Sequence, residues 1–227
     1  MPNIRWWNAL RLPSVEDMHE HPTDATSGLG GRLPLLAPDA LDEAQRALHD
    51  RLRATRARAA EEAGYTAALP DGRLIGPFNA LLRTPDIARP LLEWAQALTR
   101  AGLPADVREV VVLTVAAHWR AEYALYAHTA AARTAGLPGP AVAALLHGGT
   151  PGGLRPDAAL AHRLTTALVR EHRVPDDLYA EAVAAFGTDT LIALVGLVGQ
   201  YLTTSALLAC FQVPAPTEEK EDTTSCL

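Results

Sequence analysis

A carboxylate set into an apolar run and an imidazole set among alanines are the two groups of this sequence best suited to moving protons. Glu109 precedes Val110, Val111, Val112 and Leu113, a setting in which a carboxylate is costly unless paired or protonated. His128 is flanked by Ala127, Thr129, Ala130 and Ala131, and an imidazole titrates near neutral pH, so it serves as acid or base. Between them come His118, Arg120, Glu122, Tyr123 and Tyr126. Arg120 offers a planar fork to a substrate carboxylate, and Tyr123 offers a hydroxyl to a developing oxyanion. The chemistry that this set suits is general acid–base catalysis, in which a proton is taken from a substrate and one is returned to it.

Each of these residues also has a purely structural reading. Glu109 pairs with Arg108 or another surface cation, His128 is a satisfied core histidine, and Arg120 is a salt-bridge partner. His118 and Glu122, four apart, form an exposed helical pair. Tyr123 and Trp94 fill core. Asn79, after Pro77 and Phe78, caps backbone in a tight loop, and His147, before Gly148-Gly149, is a cation at a helix C-terminus. Tyr201 either packs or reaches the pocket. On one straight helix His128 would lie about 100° from Glu109, with Ala117, Ala121 and Ala124 between and beside them. Such a strip permits close helix packing or leaves a hollow for a ligand.

The elements that must position these groups are helical. Of 227 residues 48% are hydrophobic but only 5% aromatic, so Ala, Leu and Val fill the core, a composition that favours helices over strands. An all-α bundle is expected; an all-β sandwich and a disordered chain are excluded. Residues 1–38, with Pro22, Gly28, Gly30, Gly31, Pro34 and Pro38, read as an irregular arm draped over the body or a neighbouring subunit. Residues 39–213 read as one helical domain and 214–227 as a charged, solvated tail. Within the domain Asp39 caps a helix ending near Gly64, and Tyr65 to Arg83 is a structured loop. Thr84-Pro85-Asp86 opens a helix that runs to about Ala101 before Gly102. The apolar pattern from Leu103-Pro104 to Ala135-Gly136 is long for one helix, and His118-Trp119-Arg120 is its natural break. Further helices span Pro140 to His147, Pro156 to His172, Pro175 to Phe186 and Thr188 to about Phe211. Leu-Pro pairs at 69, 103 and 137 recur every 34 residues, the tetratricopeptide period. The Trp, Gly and Tyr of that repeat are missing, and helix-stop chemistry accounts for the spacing.

The net charge of −6 argues against nucleic acid as a partner, and the basic run Arg51 to Arg58 reads as the solvated face of an amphipathic helix. Cys210 lies in an apolar stretch and is expected to be a small buried hydrophobe; Cys226 lies in the tail. There is no CxxC and no zinc-like spacing, so no metal is expected. The N-terminus lacks the apolar region of a secretory signal, which points to the cytoplasm. Leu191 to Phe211 carries no charge and is long enough to span a bilayer, yet Gln200, Tyr201, Thr203, Thr204 and Ser205 interrupt it. It reads as a core or subunit-interface helix, with no membrane partner.

Read in order, Arg108-Glu109, Arg120-Ala121-Glu122-Tyr123-Ala124, His128 and Ala135-Gly136-Leu137 resemble the carboxymuconolactone decarboxylase family, which includes alkylhydroperoxidase D. The likeness extends to Asp71 through Asn79 with Leu81-Leu82, to Gly199-Gln200-Tyr201, and to Phe211-Gln212-Val213-Pro214, and so covers roughly residues 39–214. It implies an alkylhydroperoxidase D-like helical bundle that assembles as a homotrimer or homohexamer, with its site near subunit contacts. The family's peroxidase branch reads Glu, eleven residues, Cys, two residues, Cys, three residues, His. Here the cysteine positions fall on Ala121 and Ala124 and the histidine on His128. Thiol peroxidase chemistry, which needs a thiolate and a resolving thiol, is therefore not expected.

The resemblance instead implies the branch without cysteines: a cofactor-free lyase acting on a small organic acid or lactone. His128, Glu109, Tyr123 and Arg120 are the expected catalytic residues. Ala121, Ala124, Asn79, Phe78, Glu122 and Tyr201 are expected to meet the substrate. A dehydratase, cyclase or isomerase working on a biosynthetic intermediate, and a non-catalytic oligomer that binds a ligand, are the alternatives.

Overall fold

The computed structural model describes residues 28–216; the arm and the tail expected from the sequence thus lie largely outside the described residues. The described residues hold nine α-helices, α1 (Glu43–Leu52), α2 (Arg58–Ala63), α3 (Pro77–Leu81), α4 (Pro85–Arg100), α5 (Ala105–Trp119), α6 (Glu122–Thr134), α7 (Gly139–Leu146), α8 (Pro156–Arg170) and α9 (Asp176–Cys210), with a 3-10 turn at Pro38–Ala40 before them. The described residues hold no strand beyond an isolated bridge between Ala68 and Leu74. The expectation of an all-α fold stands.

Helix α5 is the centre. Its Val107, Val110, Val111, Val112, Leu113 and Val115 are buried and share one core with Leu160, Ala161 and Leu164 of α8 and Leu191, Leu194, Leu197 and Val198 of α9. A helix apolar on nearly every side is stable only when surrounded, and α6, α7, α8 and α9 all pack on it.

The break expected at His118-Trp119-Arg120 is real and takes the form of a corner. Arg120 adopts left-handed backbone angles (φ 52°) and ends α5; Ala121 then begins α6. The straight-helix projection of Glu109 and His128 is thereby superseded: α5 and α6 are two arms of a hairpin, and the two residues face each other across it.

Three boundaries differ from expectation. The first helix is capped by Asp42, not Asp39, through a reciprocal pair in which Gln45 N donates to Asp42 Oδ1 at 2.8 Å and Asp42 N donates to Gln45 Oε1 at 3.1 Å. That helix is also not uniform: residues Arg53–Ala57 form a π-helical turn between α1 and α2. The loop from Tyr65 to Arg83 contains the short α3, because Gly76 (φ 65°) turns the chain into Pro77 at the first helical position. A Cβ on Gly76 would lie 2.3 Å from the Tyr123 ring, so the backbone can approach that ring only through glycine. Gly187 (φ 72°, ψ 163°) interrupts α9, which accounts for the two helices read there.

Residues 28–37 are stitched to the body. Arg32 N donates to Phe211 O at 2.7 Å, and the Arg32 guanidinium donates to Cys210 O at 3.0 Å. Cys210 itself is exposed, contrary to the buried position expected, because it sits in the last turn of α9 facing away from the core. Helix α9 is long and apolar enough to cross a membrane by composition, but a third of its most apolar stretch is buried within the fold.

Candidate active site

The α5–α6 hairpin sets its two ionisable residues against each other. Glu109 lies about three turns before the corner and His128 about two turns after it, and their side chains bridge the remaining offset between the arms. His128 Nδ1 and Glu109 Oε2 are 2.7 Å apart, with side-chain exposures of 19% and 12%. On the other edge of the ring, His128 Nε2 lies 3.0 Å from the hydroxyl of Tyr201, whose ring stands edge-on to the imidazole at 5.0 Å.

The hydrogen-bond inventory assigns the protons. A carboxylate only accepts, so Nδ1–H donates to Glu109; in the neutral imidazole Nε2 then accepts from the Tyr201 hydroxyl. Burial pushes the Tyr201 phenol above its ordinary range, and the Glu109 carboxylate adds to that, while the Arg56 and Arg108 charges pull the other way. The phenol therefore holds its proton at neutral pH. The result is a continuous chain, Tyr201 to His128 to Glu109, in which a proton moved onto the imidazole is met by a carboxylate.

This chain forms part of the wall of a cavity of about 370 Å³, enclosed by α2, α3, α4, α5, α6 and α9 and partly open to solvent. Most of its wall is apolar, including Phe78, Leu81, Leu92, Leu98, Val112 and Leu197. Of the residues expected at the site, Glu109, His128, Tyr123, Ala124, Phe78 and Tyr201 line it together.

The others do not. Arg120 is exposed at the corner, where its backbone ends α5, and it does not reach the cavity. Glu122 is likewise exposed, on the first turn of α6. Ala121 is buried in a small core cluster behind the cavity with Ile75 and Leu208. Asn79 is buried, but both ends of its amide are spent on backbone: Oδ1 accepts from Leu36 N at 3.0 Å and Nδ2 donates to Pro34 O at 3.2 Å. Tyr123 presents its ring to the cavity, yet its hydroxyl donates to Thr66 O at 2.9 Å, and Tyr126 accepts from Thr66 N at 3.0 Å. Those two tyrosines hold the 65–66 segment, so an oxyanion donor must be sought in Tyr201.

The structural alternatives fare unevenly too. Glu109 pairs with His128, not Arg108. His118 and Glu122 straddle the corner and form no ion pair, and Trp94 is 49% exposed, lying over Gly196. His147 does end α7.

Among the wall residues outside that expected set, Arg56, Arg108 and Gln200 carry strongly polar groups. Gln200 Oε1 is buried without a hydrogen-bond partner. Arg56 was read as part of a solvated basic run; the π-helical turn, which sequence periodicity does not reveal, brings it to the cavity.

The helical arrangement around this hairpin is the alkylhydroperoxidase D fold. A solved structure described as the alkylhydroperoxidase AhpD core, an uncharacterized peroxidase-related protein from Ralstonia eutropha JMP134, is similar to this chain with a TM-score of 0.66, over 83% of this chain and 94% of that one, at 16% sequence identity. No protein-family model and no curated protein matches the sequence.

Proposed function

We propose that the protein is a cofactor-independent enzyme of lyase or isomerase type that acts on a small organic acid or lactone. Three of its own side chains, Tyr201, His128 and Glu109, supply the acid and base. The observation that carries this reading is the hydrogen-bonded series from the Tyr201 hydroxyl through His128 to Glu109, opening on a largely apolar cavity. In the forward step the Tyr201 oxygen takes a proton from the substrate while passing its own to His128 Nε2. The imidazolium so formed is balanced by Glu109, and the reverse movement returns a proton to the product-forming carbon. In a decarboxylation the proton taken is that of the substrate's carboxylic acid: the C–C bond electrons pass into the dienolate as CO2 leaves, and the Tyr201 hydroxyl then protonates carbon while His128 Nε2 returns the stored proton to the Tyr201 oxygen. An apolar wall strengthens these charge interactions by excluding water. It also suits a bulkier intermediate that would undergo isomerisation, dehydration or ring closure.

Thiol-based peroxide reduction lies outside this proposal, since Ala124 stands in the wall where the peroxidase branch has a cysteine. Self-assembly belongs to the proposal. Ile87 and Trp94 of α4 and Ile192 and Val195 of α9 are exposed on adjoining helices, an apolar face of the kind that subunit contacts cover.

The test is incubation of the full chain with a panel of unsaturated lactones and keto acids, following CO2 release and product structure. Turnover that is lost in His128→Ala and strongly reduced in Tyr201→Phe supports the reading. Turnover unchanged in both variants, or thiol-dependent peroxide consumption in its place, overturns it.

A further inference from the structure

We infer that Arg56 and Arg108 form an anion clamp on the cavity wall, and that the ligand is an amphipathic organic anion. A single carboxylate is held by the two guanidinium groups, and an uncharged, mostly apolar body lies on Phe78, Leu81, Leu92 and Leu197. The identity of this ligand as a substrate rests on the enzymatic reading above; its binding does not.

Four arginines of the described residues are half-buried: Arg56, Arg73, Arg83 and Arg108. Arg73 is paired with Asp71, and Arg83 donates to Pro34 O. Arg56 and Arg108 have no ion pair and no side-chain hydrogen bond among the described residues. Both line the cavity that contains His128. A guanidinium withdrawn partly from water calls for an acceptor, and the carboxylate in this wall, Glu109, is already engaged by His128. Two cations thus face one half-enclosed space in a chain whose net charge is −6, and a ligand anion supplies the acceptor that neither finds among the described residues.

Their placement is built into the backbone. Arg56 lies within the π-helical turn Arg53–Ala57, and such turns concentrate at functional sites because the extra residue re-aims a side chain. Arg108 directly precedes Glu109, so one turn of α5 delivers both the clamp and the relay. Both cations act on the Tyr201 phenol, and Arg56 acts on that of Tyr65 as well, which sets the clamp beside the reacting groups. The rest of the wall offers no third cation and few polar atoms, which selects against a second charge on the ligand body.

The test titrates the full chain with octanoate, octanol and octylammonium by calorimetry, at low and at high salt. Saturable octanoate binding, weakened by salt, with octanol and octylammonium at least about tenfold weaker, is expected. So is a loss of about tenfold or more in octanoate affinity in Arg56→Gln and in Arg108→Gln. Three results would overturn the clamp: no octanoate binding, octanol binding as tightly as octanoate, or an octanoate affinity indifferent to salt. The salt series uses the parent chain and stands even if a variant unfolds. The parent chain separates the two ideas: if it binds octanoate as described yet turns over no panel compound, the enzymatic reading falls and the clamp stands.

Discussion

The two sides of α5 are made for different ends. Toward α8 and much of α9 it presents valines and a leucine that are wholly buried and packed on other aliphatic chains. Toward α6 and the cavity it presents Arg108, Glu109 and Val112: two charges and one small apolar residue facing open space. The packed side exchanges hydrophobic surface for stability. The cavity side retains a hydrogen-bonded carboxylate–imidazole pair, two arginines without partners among the described residues and an orphan amide oxygen. Charged groups are gathered on the side that can receive a ligand, and the rigidity of the other side holds them in place.

The largest effect expected from this contrast is on rate. His128→Ala should lower turnover by about 10²- to 10⁴-fold, the usual contribution of a positioned acid–base group, with a loss of stability smaller than that of a core truncation. Steady-state kinetics beside a thermal melt checks both halves, and a large drop in stability would erase the distinction between the two sides. On the packed side the pattern should reverse. Leu164 of α8 is 1% exposed, and Leu164→Ala should cost roughly 2–5 kcal/mol in denaturant unfolding while kcat per folded molecule is kept.

A finer comparison uses two polar atoms that are buried without partners, Gln200 Oε1 in the cavity wall and Thr165 Oγ1 in α8. Replacing either by an apolar residue of similar shape removes a desolvated group. Thr165→Val and Gln200→Leu should each raise stability by about 1 kcal/mol. Only Gln200→Leu should alter KM, and an equal effect of both on KM would show that the cavity is not where substrate binds.

The smallest effect is alkaline. Burial raises the phenols of Tyr65, Tyr123 and Tyr201 above the value of about 10 in an unfolded chain. The fold then keeps protons that the unfolded chain releases. Stability is full below pH 10 and falls as pH rises beyond it, by about 0.4 kcal/mol per phenol at pH 10 itself. Tyr201→Phe should make the decline shallower, as chemical denaturation between pH 8 and 11 would show.

Composition and periodicity make the bundle legible because an Ala- and Leu-rich chain with regular Pro and Gly punctuation has few other ways to bury its apolar faces. The corner at Arg120 and the break near Gly187 are legible for the same reason. Glu109 and His128 stand out because a carboxylate among valines and an imidazole among alanines need partners, and they turn out to be each other's. Tyr201 was ambiguous, since nothing local tells a packing tyrosine from one that meets an imidazole 73 residues away. Arg120 and Asn79 misled because their types suit a site while their backbone contexts, a left-handed corner and a strap of extended chain, claim them first. Arg56 escaped notice because a π turn shifts register without leaving a mark in the hydrophobic pattern.

The stitching of residues 28–37 to the end of α9 has a consequence for how the chain could be re-ordered. Arg32 meets the backbone of Cys210 and Phe211, so the beginning and the end of the described fold are neighbours in space. A short linker between them, with new ends opened in the exposed turn at 148–153, should give a circular permutant with the same hairpin and the same relay. In such a molecule Tyr201, His128 and Glu109 would keep their neighbours while their distance from the chain start changed, because the geometry of that series is owed to packing and not to the order of synthesis.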